Sequence, residues 1–250
     1  MAKYFVQAGW DHAPHLSTKE KEDLLSSTPP HLRDARSKGE PTMGSGSVYP
    51  VEASYFLVDD FRPKPWYRRA YALDVGWNYT AAVWIAYDPD TDVVYIYDCY
   101  KKEKSEPELH AAHIMMRDPR DMGEFKWPGA IDPASKGRSQ VDGKQLIRIY
   151  RNLGLKLIEA DNSVEAGIEA VWSRLSSGRL KLVRTPNNEE WLREYKKYRR
   201  DEKGRIVKKD DHLMDATRYA ILTGIKIAKP LPRGNNLGMG TVQGARDYGV

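Results

Sequence analysis

Three strand-forming runs follow one another almost without a break between residues 71 and 100, and an all-helical architecture cannot accommodate them. Residues 71–75, 81–87 and 93–100 are rich in Val, Ile, Tyr and Trp, the side chains that pack best on a pleated, half-buried surface. Asp88, Pro89, Asp90, Thr91 and Asp92 leave only a tight connection between the second and third runs, which predicts an antiparallel meander. A helix is expected over 107–117, then a short apolar strand ending at Ala130, Ile131 and Asp132. Helical and extended patterns then alternate: helix over 143–153, strand over 155–158, helix over 164–176, strand over 180–183. A hairpin around Lys203 and Gly204 is expected over 200–208, and the last strong helix over 212–227. The fold class is therefore α/β, a mixed β-sheet of three antiparallel strands and then parallel strands, flanked by helices.

Ahead of these runs the chain is more polar. Ser17, Thr18, Lys19 and Glu20 form a capping-box pattern that predicts a helix over 18–27. Pro29 and Pro30 end it and can open a second short helix closing at Gly39. Gly44, Ser45, Gly46 and Ser47 read as a flexible bridge, and Pro63 with Pro65 as another break. Residues 1–68 are thus read as an arm or linker, 69–228 as the folded domain and 229–250 as a flexible Gly-rich tail. No apolar run is long enough for a membrane span or a secretory signal, so a cytosolic protein is expected. The single cysteine, Cys99, leaves no disulfide framework or cysteine zinc site and reads as a small buried strand residue.

Net charge is +5, a weak pointer to a polyanionic partner until its distribution is considered. Residues 133–209 carry 19 Lys and Arg against 10 Asp and Glu, whereas residues 1–70 carry 10 against 9. The positive charge belongs to the second half, as expected if a nucleic-acid duplex lies across one face, although a solvated surface has the same composition. Lys136, Arg138 and Lys144 are candidate phosphate contacts. Lys196, Lys197, Arg199 and Arg200 interleave with Tyr195 and Tyr198 and form the preferred candidate for duplex contact. Trp77, Trp84, Trp172 and Trp191 read as core residues rather than stacking platforms.

Asp74 stands alone inside an apolar strand, where an uncompensated carboxylate is expensive. Asp132 repeats the situation at the end of the next apolar strand, followed by a basic, glycine-containing loop. Asp211 is placed as the N-cap of the last helix, and Asp215 lies on its first turn, four residues on and near the same face. A lone strand aspartate is commonly just a hydrogen-bonded cap. Acids at two strand ends and one helix start can instead converge above the sheet, where like charges stay ionised only with a cation. Oxygen ligands select a hard ion, Mg²⁺ or Mn²⁺, and a pair of such ions suits phosphodiester hydrolysis. His212 could orient a ligand or simply be hydrogen-bonded.

Four ordered segments carry a resemblance: ALDVGWNYTAAVW (72–84), AIDPASKGRSQVDG (130–143), ADNSVEAGIEAVWSRL (160–175) and KDDHLMDATRYAI (209–221). WDHAPHLSTKEKEDLL (10–25) and ARSKGEP (35–41) extend it into the arm. The chain resembles the C-terminal nuclease domain of the large terminase subunit of tailed bacteriophages. The resemblance implies a ribonuclease H-like fold and a metal-dependent endonuclease cleaving concatemeric viral double-stranded DNA in the host cytoplasm, headful or site-directed. It implies Asp74, Asp132 and, in an H-x-x-D pattern, Asp215 as catalytic acids, with Asp211 left open as an alternative ligand. A packaging ATPase domain, the small terminase subunit and the portal are the partners it implies. No G-x-x-x-x-G-K-[ST] occurs, so the motor is not expected in this chain, and cutting should not need ATP. D-V-G-W-N-Y-T also resembles the first phosphate loop of sugar kinases and actin-like ATPases, but the loop after Asp132 is basic rather than a second such loop. A non-catalytic DNA-binding or docking module on the same fold would gain by losing the three acids.

Overall fold

The computed structural model describes residues 9–28, 33–38, 46–76, 78–119, 125–136 and 145–232. Helix α1 (Thr18–Ser27) begins as its sequence predicts: the Ser17 hydroxyl accepts from the Glu20 amide, and the Glu20 carboxylate accepts from the Ser17 amide at 2.8 Å. Helix α2 covers Arg33–Lys38; the prolines before it and Gly39 lie outside the described residues. Short elements β1 (Gly46–Ser47), α3 (Ala53–Phe56) and β2 (Leu57–Val58) lead to three long strands, β3 (Arg68–Val75), β4 (Tyr79–Asp88) and β5 (Val93–Glu103). There follow α4 (Pro107–Met115), β6 (Pro128–Ile131), α5 (Leu146–Asn152), β7 (Lys156–Glu159), α6 (Val164–Ser176), β8 (Leu180–Val183), α7 (Asn188–Lys197) and β9 (Arg199–Arg200). Helix α8 (His212–Tyr219) runs on through a π-helical turn (Ala220–Gly224) into a last α turn (Ile225–Ile227).

Seven strands form one sheet in the order β2-β8-β5-β4-β3-β6-β7. β3, β4 and β5 make the expected antiparallel meander, and β6, β7, β8 and β2 add in parallel. Both faces are covered. Ala70, Ala72, Val83 and Ile85 pack toward α6, α7 and α8, while Tyr71, Leu73, Ala82 and Trp84 pack toward α4 and α5. A strand buried on both sides has no polar face to show, which is why β3 reads as apolar up to its lone Asp74. β6 approaches β3 closely enough that a Cβ at Gly129 would lie 2.4 Å from the Tyr71 ring, so glycine is required there.

Two expectations need correction. A separate arm does not reach as far as residue 68: Val48, Tyr49 and Phe56 are fully buried in the main core, β1 pairs with β9, and β2 extends the sheet beside β8. These few apolar side chains are too widely spaced in a polar stretch to announce a strand or helix by periodicity. Helix α7 was not expected at all, although Trp191, Glu194 and Tyr195 fall on one buried face at helical spacing. At the other boundary, Lys229 exchanges backbone hydrogen bonds with Arg69, and Leu231 donates to Pro65; residues 233–250 lie outside the described residues.

Candidate active site

β3 and β6 run parallel in register, with Leu73 opposite Ile131, and the Asp132 amide continues the ladder by donating to the Leu73 carbonyl at 3.0 Å. One step further, Asp74 and Asp132 stand side by side on strands spaced about 4.8 Å apart. Asp132 also accepts from the Ala134 amide at 3.0 Å, starting the 3-10 turn Pro133–Lys136.

Helix α8 brings the remaining groups. His212 Nδ1 lies 2.8 Å from Asp74 Oδ2 and joins the helix directly to β3. Asp215 is held on both oxygens: Arg218 donates to Oδ1 through two nitrogens, at 3.2 and 2.8 Å, and Lys208 Nζ donates to Oδ2 at 2.9 Å. The same ammonium lies 3.1 Å from Asp211 Oδ2. Asp211 and Asp215 therefore share one face as their spacing predicts, and Lys208 bridges them.

Burial pushes the Asp74 carboxyl above the usual carboxylate range; the negative charges of Asp215 and Asp132 add to the rise, and the hydrogen bond from His212 opposes it. The bond to Asp74 in turn raises His212. Tyr219 is buried beneath the site, and after burial itself the charges of Asp132, Asp74 and Asp215 push its hydroxyl up. One hydroxyl thus feels all three acids. Asp74, Tyr79, Lys208, Asp211, His212 and Asp215 line a cleft of about 600 Å³.

Among the described residues no three His, Cys, Asp or Glu side chains stand together as a finished metal-ligand set. The reason is visible in the partners: Asp215 is turned onto Arg218 and Lys208, Asp74 onto His212, and Asp132 onto its own turn. The chemistry of the donors nevertheless fits a hard divalent cation. The lining acids are carboxylates, and Asp211 Oδ2 is buried without a hydrogen bond, its contact with Lys208 being one of charge alone.

The expected phosphate contacts fare unevenly. Arg138 and Lys144 lie outside the described residues, as does Trp77, and Lys136 is placed only by its backbone in the 3-10 turn. Lys196, Lys197 and Arg199 are exposed, with Lys197 bound to Asp210 at 3.2 Å on the rim of the cleft. Arg200 is instead paired with Glu165 at 2.6 Å. Tyr195 and Tyr198 are buried and pack on Tyr49, so the aromatic–cation interleaving is not a stacking platform. Their spacing puts the aromatics on the core face of the chain and the cations on the outer one. Trp84, Trp172 and Trp191 are core residues, and Cys99 is buried, as expected. Sequence reasoning missed Lys208, Arg218 and Glu194. Arg218 was detectable as an i+3 partner of Asp215, and Lys208 as a cation three residues before Asp211. Nothing local points to Glu194.

Comparison with known proteins identifies the family. The family described as the terminase RNase H-like domain matches residues 72–223, from β3 into the last helix. The large terminase subunit of Salmonella phage P22 is 32% identical over 218 residues, covering 84% of this chain and 42% of that protein. That of Enterobacteria phage LP7 is 31% identical over 222 residues, covering 86% and 45%. The chain therefore spans less than half the length of these relatives. Among solved structures, the P22 large terminase nuclease domain is similar with a TM-score of 0.65 and 28% identity, over 76% of this chain and 97% of that one. The large terminase of a thermophilic bacteriophage, solved in complex with ADP, shares the fold with a TM-score of 0.68 at 23% identity, over 87% and 54%. With a seven-stranded mixed sheet of ribonuclease H-like type and this match from the first acid to the last, the chain belongs to the terminase RNase H-like domain family.

Proposed function

We propose that this chain is a metal-dependent endonuclease that cleaves concatemeric viral double-stranded DNA during genome packaging. The observation that carries the reading is the register that sets Asp132 beside Asp74 at the ends of β6 and β3, with His212 joining Asp74 to the helix whose Asp211 and Asp215 line the same cleft as Asp74. Likeness to the P22 nuclease domain supports it. Asp74, Asp132 and Asp215 would hold Mg²⁺ or Mn²⁺, two ions in the fullest form of the reading, with Asp211 as the further carboxylate in reach. Bound there, divalent ions supply Lewis acidity toward a phosphodiester and stabilise the charge that develops on its oxygens. The chain's own contributions are distinct. His212 fixes the orientation of Asp74, Arg218 fixes Asp215, and Lys208 neutralises the helix acids.

DNA would cross the basic face beside the cleft, where Lys196, Lys197 and Arg199 are exposed. Its partners would be the packaging ATPase domain, the small terminase subunit and the portal, in the host cytoplasm. Among the described residues no helix is long and apolar enough to cross a membrane.

The test is plasmid cleavage. Purified protein should nick and cut supercoiled DNA with Mn²⁺ or Mg²⁺ and without ATP, and Asp74→Ala should abolish cutting while the circular dichroism spectrum is retained. Cutting by Asp74→Ala at the wild-type rate would rule out this site. DNA affinity should fall steeply between low and moderate salt as phosphate contacts release counterions, and a flat response would exclude the basic face.

A further inference from the structure

Helix α8 begins without the cap its sequence offers. Asp211 occupies the N-cap position, where an aspartate side chain normally accepts from the amides of the first turn, yet it makes no such bond. The Leu213 amide instead donates to Glu194 Oε2 at 2.7 Å, from a side chain on α7 that is 1% exposed. The other oxygen of Glu194 accepts from Lys101 Nζ at 2.6 Å. Lys101 comes from β5 and lies 4.7 Å over the Tyr79 ring, which is 5.2 Å from the imidazole of His212. One turn further along α8, Trp191 Nε1 donates to Thr217 Oγ1 at 2.8 Å, so α7 grips α8 at two successive turns.

The two capping solutions differ in what they do to the cleft. If Asp211 capped the helix itself, its carboxylate would turn back onto the first-turn amides. With Glu194 satisfying the Leu213 amide and placing negative charge at the positive end of the helix, Asp211 faces Lys208 beside Asp215 instead. We propose that Glu194 is a positioning residue: by capping α8 from α7 it seats the helix that carries His212 and Asp215, and frees the Asp211 carboxylate for the cation site. The inference rests on the divalent-cation reading above.

The test compares Glu194→Ala and Glu194→Asp, which cannot reach the Leu213 amide, with Glu194→Gln made together with Lys101→Met, where the amide oxygen still can and the amide nitrogen then meets no ammonium. Isothermal titration with Mn²⁺ alone should give affinity lowered on the order of tenfold for Ala and Asp, and within about twofold of wild type for Gln. Wild-type affinity in both Ala and Asp overturns the proposal, and so does a loss in Gln equal to theirs, since that is a charge or stability effect rather than a cap. Should Ala fail to fold, Asp against Gln carries the same comparison. A metal-free arm reads the cap directly by hydrogen exchange of the Leu213 amide. Asp211→Ala should leave that rate unchanged in the wild-type background and raise it in the Glu194→Asp background, where Asp211 has returned to the cap. A rise already in the wild-type background overturns the proposal. Failure of the cation reading looks different: wild-type protein would bind no Mn²⁺, while the exchange pattern would remain.

Discussion

The site has two sides built on opposite electrostatic terms. On the strand side, Asp74 and Asp132 end two parallel strands among apolar neighbours, and their near partners are an imidazole and a backbone amide. On the helix side, Asp211 and Asp215 are met by Lys208 and Arg218, permanent cations supplied by their own stretch of chain. The difference teaches where an added cation does most. The strand acids have no Lys or Arg among these partners and would gain most from a divalent ion, whereas the helix acids would have to exchange a lysine for it.

The largest effect that separates the sides is on stability without metal. Arg218 is 1% exposed, and Asp215 is its carboxylate partner, so Asp215→Ala leaves a buried guanidinium uncompensated. A loss of about 3–5 kcal/mol in urea unfolding is expected, against no loss or a gain for Asp74→Asn, which removes a carboxylate that burial disfavours. Equal losses for the two would erase the distinction.

A smaller effect tests the strand side alone. Gly129→Ala sets a Cβ against the Tyr71 ring and should cost about 1–3 kcal/mol by urea unfolding. Because β6 must shift to relieve the clash, Mn²⁺ affinity should fall with it, and an unchanged midpoint would mean that the β3–β6 spacing is soft. The smallest stability change is expected for Lys208→Met. Its side chain is 61% exposed, so losing its ion pairs should cost at most about 1 kcal/mol. Mn²⁺ affinity, measured by calorimetry, should rise because two carboxylates lose their competing cation; a fall would show that Lys208 helps to hold the ion.

These contrasts also explain what could be read from the sequence. The β3–β5 meander and the β6 to β8 alternation were legible because buried strands keep β-branched and aromatic residues in unbroken runs and the Asp88 to Asp92 turn marks its own place. Asp74 and Asp132 stood out because a carboxylate in apolar surroundings needs a reason, and Asp215 through the H-x-x-D pattern of the resemblance. The capping and neutralising groups did not stand out, since they are defined by partners rather than by context. Asp211 has every local mark of an N-cap, yet its side chain makes no cap bond, and Glu194 from α7 takes the Leu213 amide. Tyr195 and Tyr198 carry the same ambiguity: aromatics between cations describe a nucleic-acid surface and an amphipathic helix end equally well, and here Val48, Tyr49 and Phe56 from the supposed arm settle them in the core.

The central claim is that acids from β3, the end of β6 and α8 form one divalent-cation site. Anomalous diffraction at the Mn²⁺ edge from crystals soaked in MnCl₂ tests it most directly. The expected result is a peak contacted by Asp74 together with Asp132 or Asp215, with the Lys208 ammonium displaced from its place beside Asp211 and Asp215. A cleft without a peak, its Lys208 contacts intact at saturating Mn²⁺, would contradict the account.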